Sequence, residues 1–161
     1  MNKLIRSLVA SGALIAVASG LSLPLDALAG DKHRSAVPLL PQYQQECSSC
    51  HIAYPPGMLS AASWQELMSN LPRHFGTDAS VDAATLKTLS SWLGANASSR
   101  SSGTLPPENR ITRSDWFVRE HREVASRTWK LPAVKSPSNC AACHTTAEQG
   151  DFNERAIRLP R

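Results

Sequence analysis

Two five-residue stretches, Cys47-Ser48-Ser49-Cys50-His51 and Cys140-Ala141-Ala142-Cys143-His144, repeat one spacing: two thiols three positions apart, then a histidine. Together they use all four cysteines of the chain. Two thiols at this spacing can bond both vinyl groups of one porphyrin, and the next residue places its imidazole to reach the metal from one face. The pattern predicts two covalently attached haem c groups with iron, bonded by Cys47, Cys50, Cys140 and Cys143, with His51 and His144 as metal ligands. The competing readings are a redox disulfide and a structural zinc site. Zinc sites bring further Cys or His at finger-like spacing, whereas these two pairs lie far apart in the chain.

The first residues read as a targeting segment. Lys3 and Arg6 form a basic start, Leu8 to Leu25 is mostly apolar and small, and Ala27-Leu28-Ala29 is an A-x-A cleavage site. Residues 1–29 are therefore expected to be a cleaved Sec signal peptide and the product to be periplasmic, the compartment where c-type haems are attached. An uncleaved membrane anchor is the alternative. The apolar stretch is short and interrupted by Ser11, Ser19, Gly20 and Pro24, which speaks against spanning. No second apolar run is long enough to cross a bilayer, so no stable membrane insertion is expected after the signal is removed.

The precursor carries a formal charge of +4, and losing Lys3, Arg6 and Asp26 with the leader leaves +3. Each haem carries two propionates, so the basic side chains mostly answer the cofactors. No interleaved basic and aromatic surface is present, and no nucleic-acid partner is expected.

Apolar periodicity predicts helices. Residues 42–50 can be helical and deliver the first motif. Tyr54-Pro55-Pro56-Gly57 is a break. Trp64, Leu67, Met68 and Leu71 form an i, i+3, i+4, i+7 stripe that Pro72 ends. A third helix is expected over 81–93 with Leu86, Leu89 and Leu93 inward. Residues 96–103 read as a linker and Leu105-Pro106-Pro107 as extended. Ser114 is an N-cap for a helix expected to reach about Trp129. Residues 131–138 are punctuated by proline, and a last helix is expected near Asp151 with Glu154 completing a capping box. No strand-like alternation of any length occurs. The fold class is all-α with few or no strands, in two small haem-binding units, 30–99 and 100–161.

The donors left for the other face of each iron are His33, His74, His121, Met58 and Met68. Phe117, His121, Val124 and Ala125 share one face of the predicted helix, and a histidine on an apolar face needs a partner. His74 follows the proline-ended helix and is flanked by Phe75 and Gly76. His74 and His121 are therefore assigned as the remaining metal ligands, most simply as His51/His74 and His144/His121, with a swapped pairing left open. His33 lies near the expected mature terminus. Met68 fits core packing, and Met58 follows His51 too closely to reach over. Trp64, Trp92, Trp116 and Trp129 are assigned to core or haem packing. Arg110, Arg113, Arg119, Arg122 and Arg127 form either a solvated face or, in part, partners for propionates.

These residues resemble a known family. The first half looks like a shortened class I cytochrome c, with Cys47 to His51, a ligand loop, and a closing helix ending Ser91-Trp92-Leu93. His74 stands where that class usually has methionine. Residues 40–160 resemble the small bacterial dihaem cytochromes c (DHC), through Leu71-Pro72-Arg73-His74-Phe75-Gly76, Ile111 to His121, and Asn139 to Phe152. The resemblance implies bis-histidine ligation at both irons and low-potential electron transfer. It also implies a membrane b-type cytochrome as donor and a small oxygen-binding monohaem cytochrome c as acceptor.

The residues themselves point to an electron carrier rather than an enzyme. Two imidazoles leave an iron no open position, and methionine ligation raises the potential relative to histidine. Two alternatives differ in class: a dihaem redox subunit of a larger oxidoreductase, and a small haem enzyme with one open iron, which would need acid–base groups in its distal pocket.

Overall fold

The computed structural model of the chain describes residues 37–99 and 105–160. The expected leader (1–29), His33 and residues 100–103 of the expected linker lie outside them. Helix α1 (Pro41–Cys47) starts on a proline, whose fixed φ suits a first helical position. It buries Tyr43, and its last residue is the first motif cysteine. Helix α2 (Ala61–Ser69) is capped by Ser60, whose side chain accepts from the Ser63 backbone N–H at 3.2 Å. Helix α3 (Ala83–Asn96) is capped by Asp82, which accepts from the N–H groups of Ala84 and Thr85. The two helices pack face to face, and Trp64 and Met68 of α2 meet Leu89 and Leu93 of α3 in one buried cluster with Tyr43, Ala53 and Leu59.

The apolar stripe of α2 is shorter than its spacing predicts. Leu71 lies beyond the helix, on a 3₁₀ turn (Leu71–Arg73) that contains Pro72. The residue before a proline avoids the α conformation, so the helix closes at Ser69 and the chain tightens into the turn that presents His74.

The second half is built from turns. Ser114 does cap a helix, accepting from Phe117 N–H at 3.3 Å, but α4 (Asp115–Glu120) ends with His121 as its C-cap. The expected helix to Trp129 is not formed. Arg122, Glu123, Ala125, Ser126 and Arg127 are all exposed, so no buried face rewards further turns, and a short helix without such a face is marginal. The expected last helix is likewise a single 3₁₀ turn (Glu154–Ala156) capped by Asn153, not by an Asp151–Glu154 box. Among the described residues there is no strand, only the isolated bridges His74–Thr77 and His144–Ile157. No described helix is long and apolar enough to cross a membrane.

Among the described residues, three long-range side-chain hydrogen bonds bind the second half to the first. Asn109 Nδ2 donates to Glu66 Oε2 at 2.6 Å, Trp116 Nε1 donates to the Met58 carbonyl at 3.1 Å, and Tyr54 Oη donates to the Ser138 carbonyl at 2.8 Å.

Candidate functional site

The turn after α1 carries Cys50 and ends at His51. Its Nδ1 stands 2.7 Å from the Ile52 carbonyl, an arrangement in which Nδ1 keeps the proton and Nε2 is left bare. His74 enters from the other side. The turn at Leu71–Arg73 raises it, and Phe75 (φ 51°) and Gly76 (φ 95°) reverse the chain directly after it. Gly76 adopts that conformation freely; Phe75 does so under strain. The His51 and His74 rings face each other with centroids 6.1 Å apart and planes 33° from parallel.

The second motif forms a 3₁₀ turn (Cys140–Ala142), and the His144 N–H donates to the Cys140 carbonyl at 2.8 Å. His121 lies at the end of α4, its Nδ1 2.9 Å from the Phe117 carbonyl and its ring stacked 3.9 Å from that of Phe117. Trp129 lies 5.9 Å from His121, and Phe152 lies 5.2 Å from His144. The His121 and His144 centroids are again 6.1 Å apart, with planes at 70°. The rings that face each other are thus His51 with His74 and His121 with His144.

The spacing can be tested against coordination geometry. With a metal–nitrogen bond of about 2 Å and about 1.1 Å from nitrogen to ring centre, two imidazoles on opposite faces of one metal stand about 6.2 Å apart. Both pairs meet that distance. The first also borders a cavity of about 550 Å³ that contains Cys47, Cys50, His51 and His74, walled by core residues such as Leu59, Trp64 and Leu93. That volume suits a cofactor-sized group. Burial, then the neighbouring His51 and Arg110, pushes the His74 pKa down; burial and His121 do the same for His144. A metal ligand must be neutral, so these environments favour the ligating form. The Nδ1 atoms of His74 and His144 are buried without a hydrogen-bond partner. The residues present fit two haem groups, each held by a cysteine pair and two facing imidazoles.

The competing readings fit less well. No disulfide joins any of the four cysteines. Burial and the adjacent Glu46 push Cys47 up to about 11, and burial, with a smaller push from Cys143, does the same for Cys140, the reverse of the lowered pKa of a redox-active Cys-x-x-Cys. Among the described residues no group of three or more His, Cys, Asp or Glu converges as a metal site, which zinc would require.

Of the other candidates, Met68 is buried in the core cluster and Met58 sits half-buried on the turn whose carbonyl Trp116 engages. Arg110 lines the first cavity, with its guanidinium 4.2 Å from the Phe75 ring and its Nε 2.7 Å from Glu108. Arg113 shares Glu108, and Arg119 pairs with Glu120, both at the surface. The indole groups of Trp64 and Trp92 join or flank the core, while Trp129 packs on the second histidine pair.

Sequence reasoning missed Tyr54, which stacks on His51 at 4.7 Å with planes 21° apart. It also missed that residues 109–112 and Ser138 line the first cavity. The position of Tyr54, three residues after the motif, was a faint signal; for residues 109–112 no local pattern marks the contact.

An all-helical chain with two such places is a small c-type cytochrome, a class defined by covalent haem. Residues 43–152 match the family model described as dihaem cytochrome c, and the chain belongs to that family. It is thus an electron-transfer haem protein with two covalently bound haem c groups containing iron. The chain is similar to a crystal structure of DHC purified from Rhodobacter sphaeroides, at 45% identity and a TM-score of 0.63, over 72% of this chain and 99% of that one. It is also similar to a dihaem cytochrome c from Shewanella baltica OS155, at 34% identity and a TM-score of 0.67, over 77% of this chain and 95% of that one. No curated protein matches the chain.

Proposed function

We propose that the protein is a periplasmic electron carrier whose two haems are each ligated by two histidines, His51 with His74 and His144 with His121. The observation that carries the reading is the repeated 6.1 Å separation of the facing rings. The haem irons supply reversible one-electron chemistry; the chain orients, insulates and tunes them. Cys47 and Cys50, and Cys140 and Cys143, would hold the two groups covalently. The Ile52 and Phe117 carbonyls hold Nδ1 of His51 and His121 and leave the other nitrogen of each ring free, where it would bind the iron. Two histidines at each iron would leave no position open to a substrate and would favour a low potential. The leader supports export, and the family resemblance supports a membrane b-type cytochrome as donor and a small oxygen-binding cytochrome c as acceptor.

The test is a visible and electron-spin spectrum of both oxidation states with added carbon monoxide. The unmodified protein should be low-spin throughout and refuse the gas. His74→Ala should open the first iron, giving a high-spin band and stoichiometric carbon monoxide binding there, with the second haem unchanged. Stoichiometric binding by the unmodified protein would replace the carrier reading with that of a haem enzyme with one open iron.

A further inference from the structure

Tyr54 touches both haem sites. Its ring stacks on His51, 4.7 Å away, and its hydroxyl donates at 2.8 Å to the carbonyl of Ser138, two residues before Cys140. It is held from behind as well. Buried Tyr43 donates its hydroxyl to the Tyr54 carbonyl at 2.9 Å and packs on Trp92 of α3 at 5.2 Å. Pro55, the next residue, lies beside Gly150, six residues after His144: a Cβ built on Gly150 would meet Pro55 Cγ at 4.0 Å and Leu39 Cδ1 at 3.8 Å. The loop after the first motif thus meets the chain on both sides of the second motif, at Ser138 and near Gly150. Tyr54 and Ser138 also border the first cavity together.

We infer that Tyr54 is a positioning residue that fixes the second haem site against the first for electron exchange between them, through its stack on His51 and its bond to the Ser138 carbonyl. The inference rests on the carrier reading above. In the exchange one ferrous iron loses an electron and the other, ferric, gains it; no bond is made, and Tyr54 keeps its proton and is not oxidised. Phenylalanine at this position would keep the stack and lose the tie, and leucine would lose both.

The experiment reduces one haem of the partly oxidised holoprotein with a light flash and follows redistribution between the two, with both midpoint potentials titrated in the same samples. Tyr54→Phe should slow redistribution about threefold or more, and Tyr54→Leu further, beyond what any shift in potential explains. Rates equal to the parent in both variants overturn the inference whatever their melting temperatures, and so does a slowing fully accounted for by altered potentials. Should neither variant assemble holoprotein, nuclear magnetic resonance of the unmodified protein gives the second readout. The Tyr54 ring signals must move when either haem alone changes oxidation state, and a response to only one overturns the inference. The experiment uses the isolated protein, so its failure is distinct from that of the carrier reading, which carbon monoxide binding decides.

Discussion

Four imidazoles face each other in two pairs, and within each pair the rings are held differently. His51 and His121 have Nδ1 tied to a backbone carbonyl, while Nδ1 of His74 and His144 has no partner. Each pair therefore joins one ring fixed by its own backbone to one fixed by its neighbours. Core residues wall the cavity that the first pair borders. Leu93 is fully buried and lies on the cavity wall. Leu93→Ala should cost about 2–5 kcal/mol in denaturant titration of the holoprotein, because the site cannot collapse around the missing atoms. Gly150 poses a different constraint. A Cβ there would make only ordinary contacts, but φ is +74°. Gly150→Ala should therefore cost about 1–2 kcal/mol through backbone conformation alone, with unchanged spectra.

The helices owe their limits to caps and prolines. Asp82 closes the start of α3 with three bonds, to Ala84 N–H, Thr85 N–H and the Thr85 hydroxyl. These bonds, the Thr85 hydroxyl foremost, hold its carboxyl below the ordinary value of 3.8. A group depressed on folding contributes stability above its unfolded pKa and loses it as pH falls through the folded one. Thermal melts from pH 6 downward should show the parent losing its advantage over Asp82→Asn below about pH 4. Equal slopes in the two proteins would remove the cap from any role in acid stability. At α4 the cap is Ser114, and Ser114→Ala should cost about 1 kcal/mol. Because α4 ends on His121, that variant should also broaden the spectrum of the second haem rather than the first.

Across the molecule the buried apolar residues are unevenly shared. Seven of the described ones cluster around α1, α2 and α3, while the second half contributes Phe117, Val134 and Ala147. A chain this short has little core to spare, and a group bound only by the folded state stabilises it. Changing all four cysteines to alanine should leave a product without a cooperative melt by circular dichroism. Changing only Cys140 and Cys143 should expose residues 114–158 to hydrogen exchange while α2 and α3 keep protection. Native-like melting of the four-cysteine variant would show that the polypeptide suffices alone.

What the sequence determined by itself is what depends on neighbours along the chain. The Cys-x-x-Cys-His spacing determines which residues can bond a porphyrin, since a vinyl–thiol fit is a matter of three residues. Leu89 and Leu93 reveal their buried face by helical period, and Ser114 reveals its cap by chemistry. The extent of α4 was not legible, because a helix continues only where packing rewards it and the exposure of residues 122, 123 and 125–127 is a tertiary fact. The partner of each motif histidine was narrowed to two donors by sequence. Only the folded chain put His74 opposite His51 and His121 opposite His144. The same holds for the wall that residues 109–112 give the first cavity and for Tyr54 between the two motifs. Such contacts join segments dozens of residues apart, and no local spacing encodes a distance across the core.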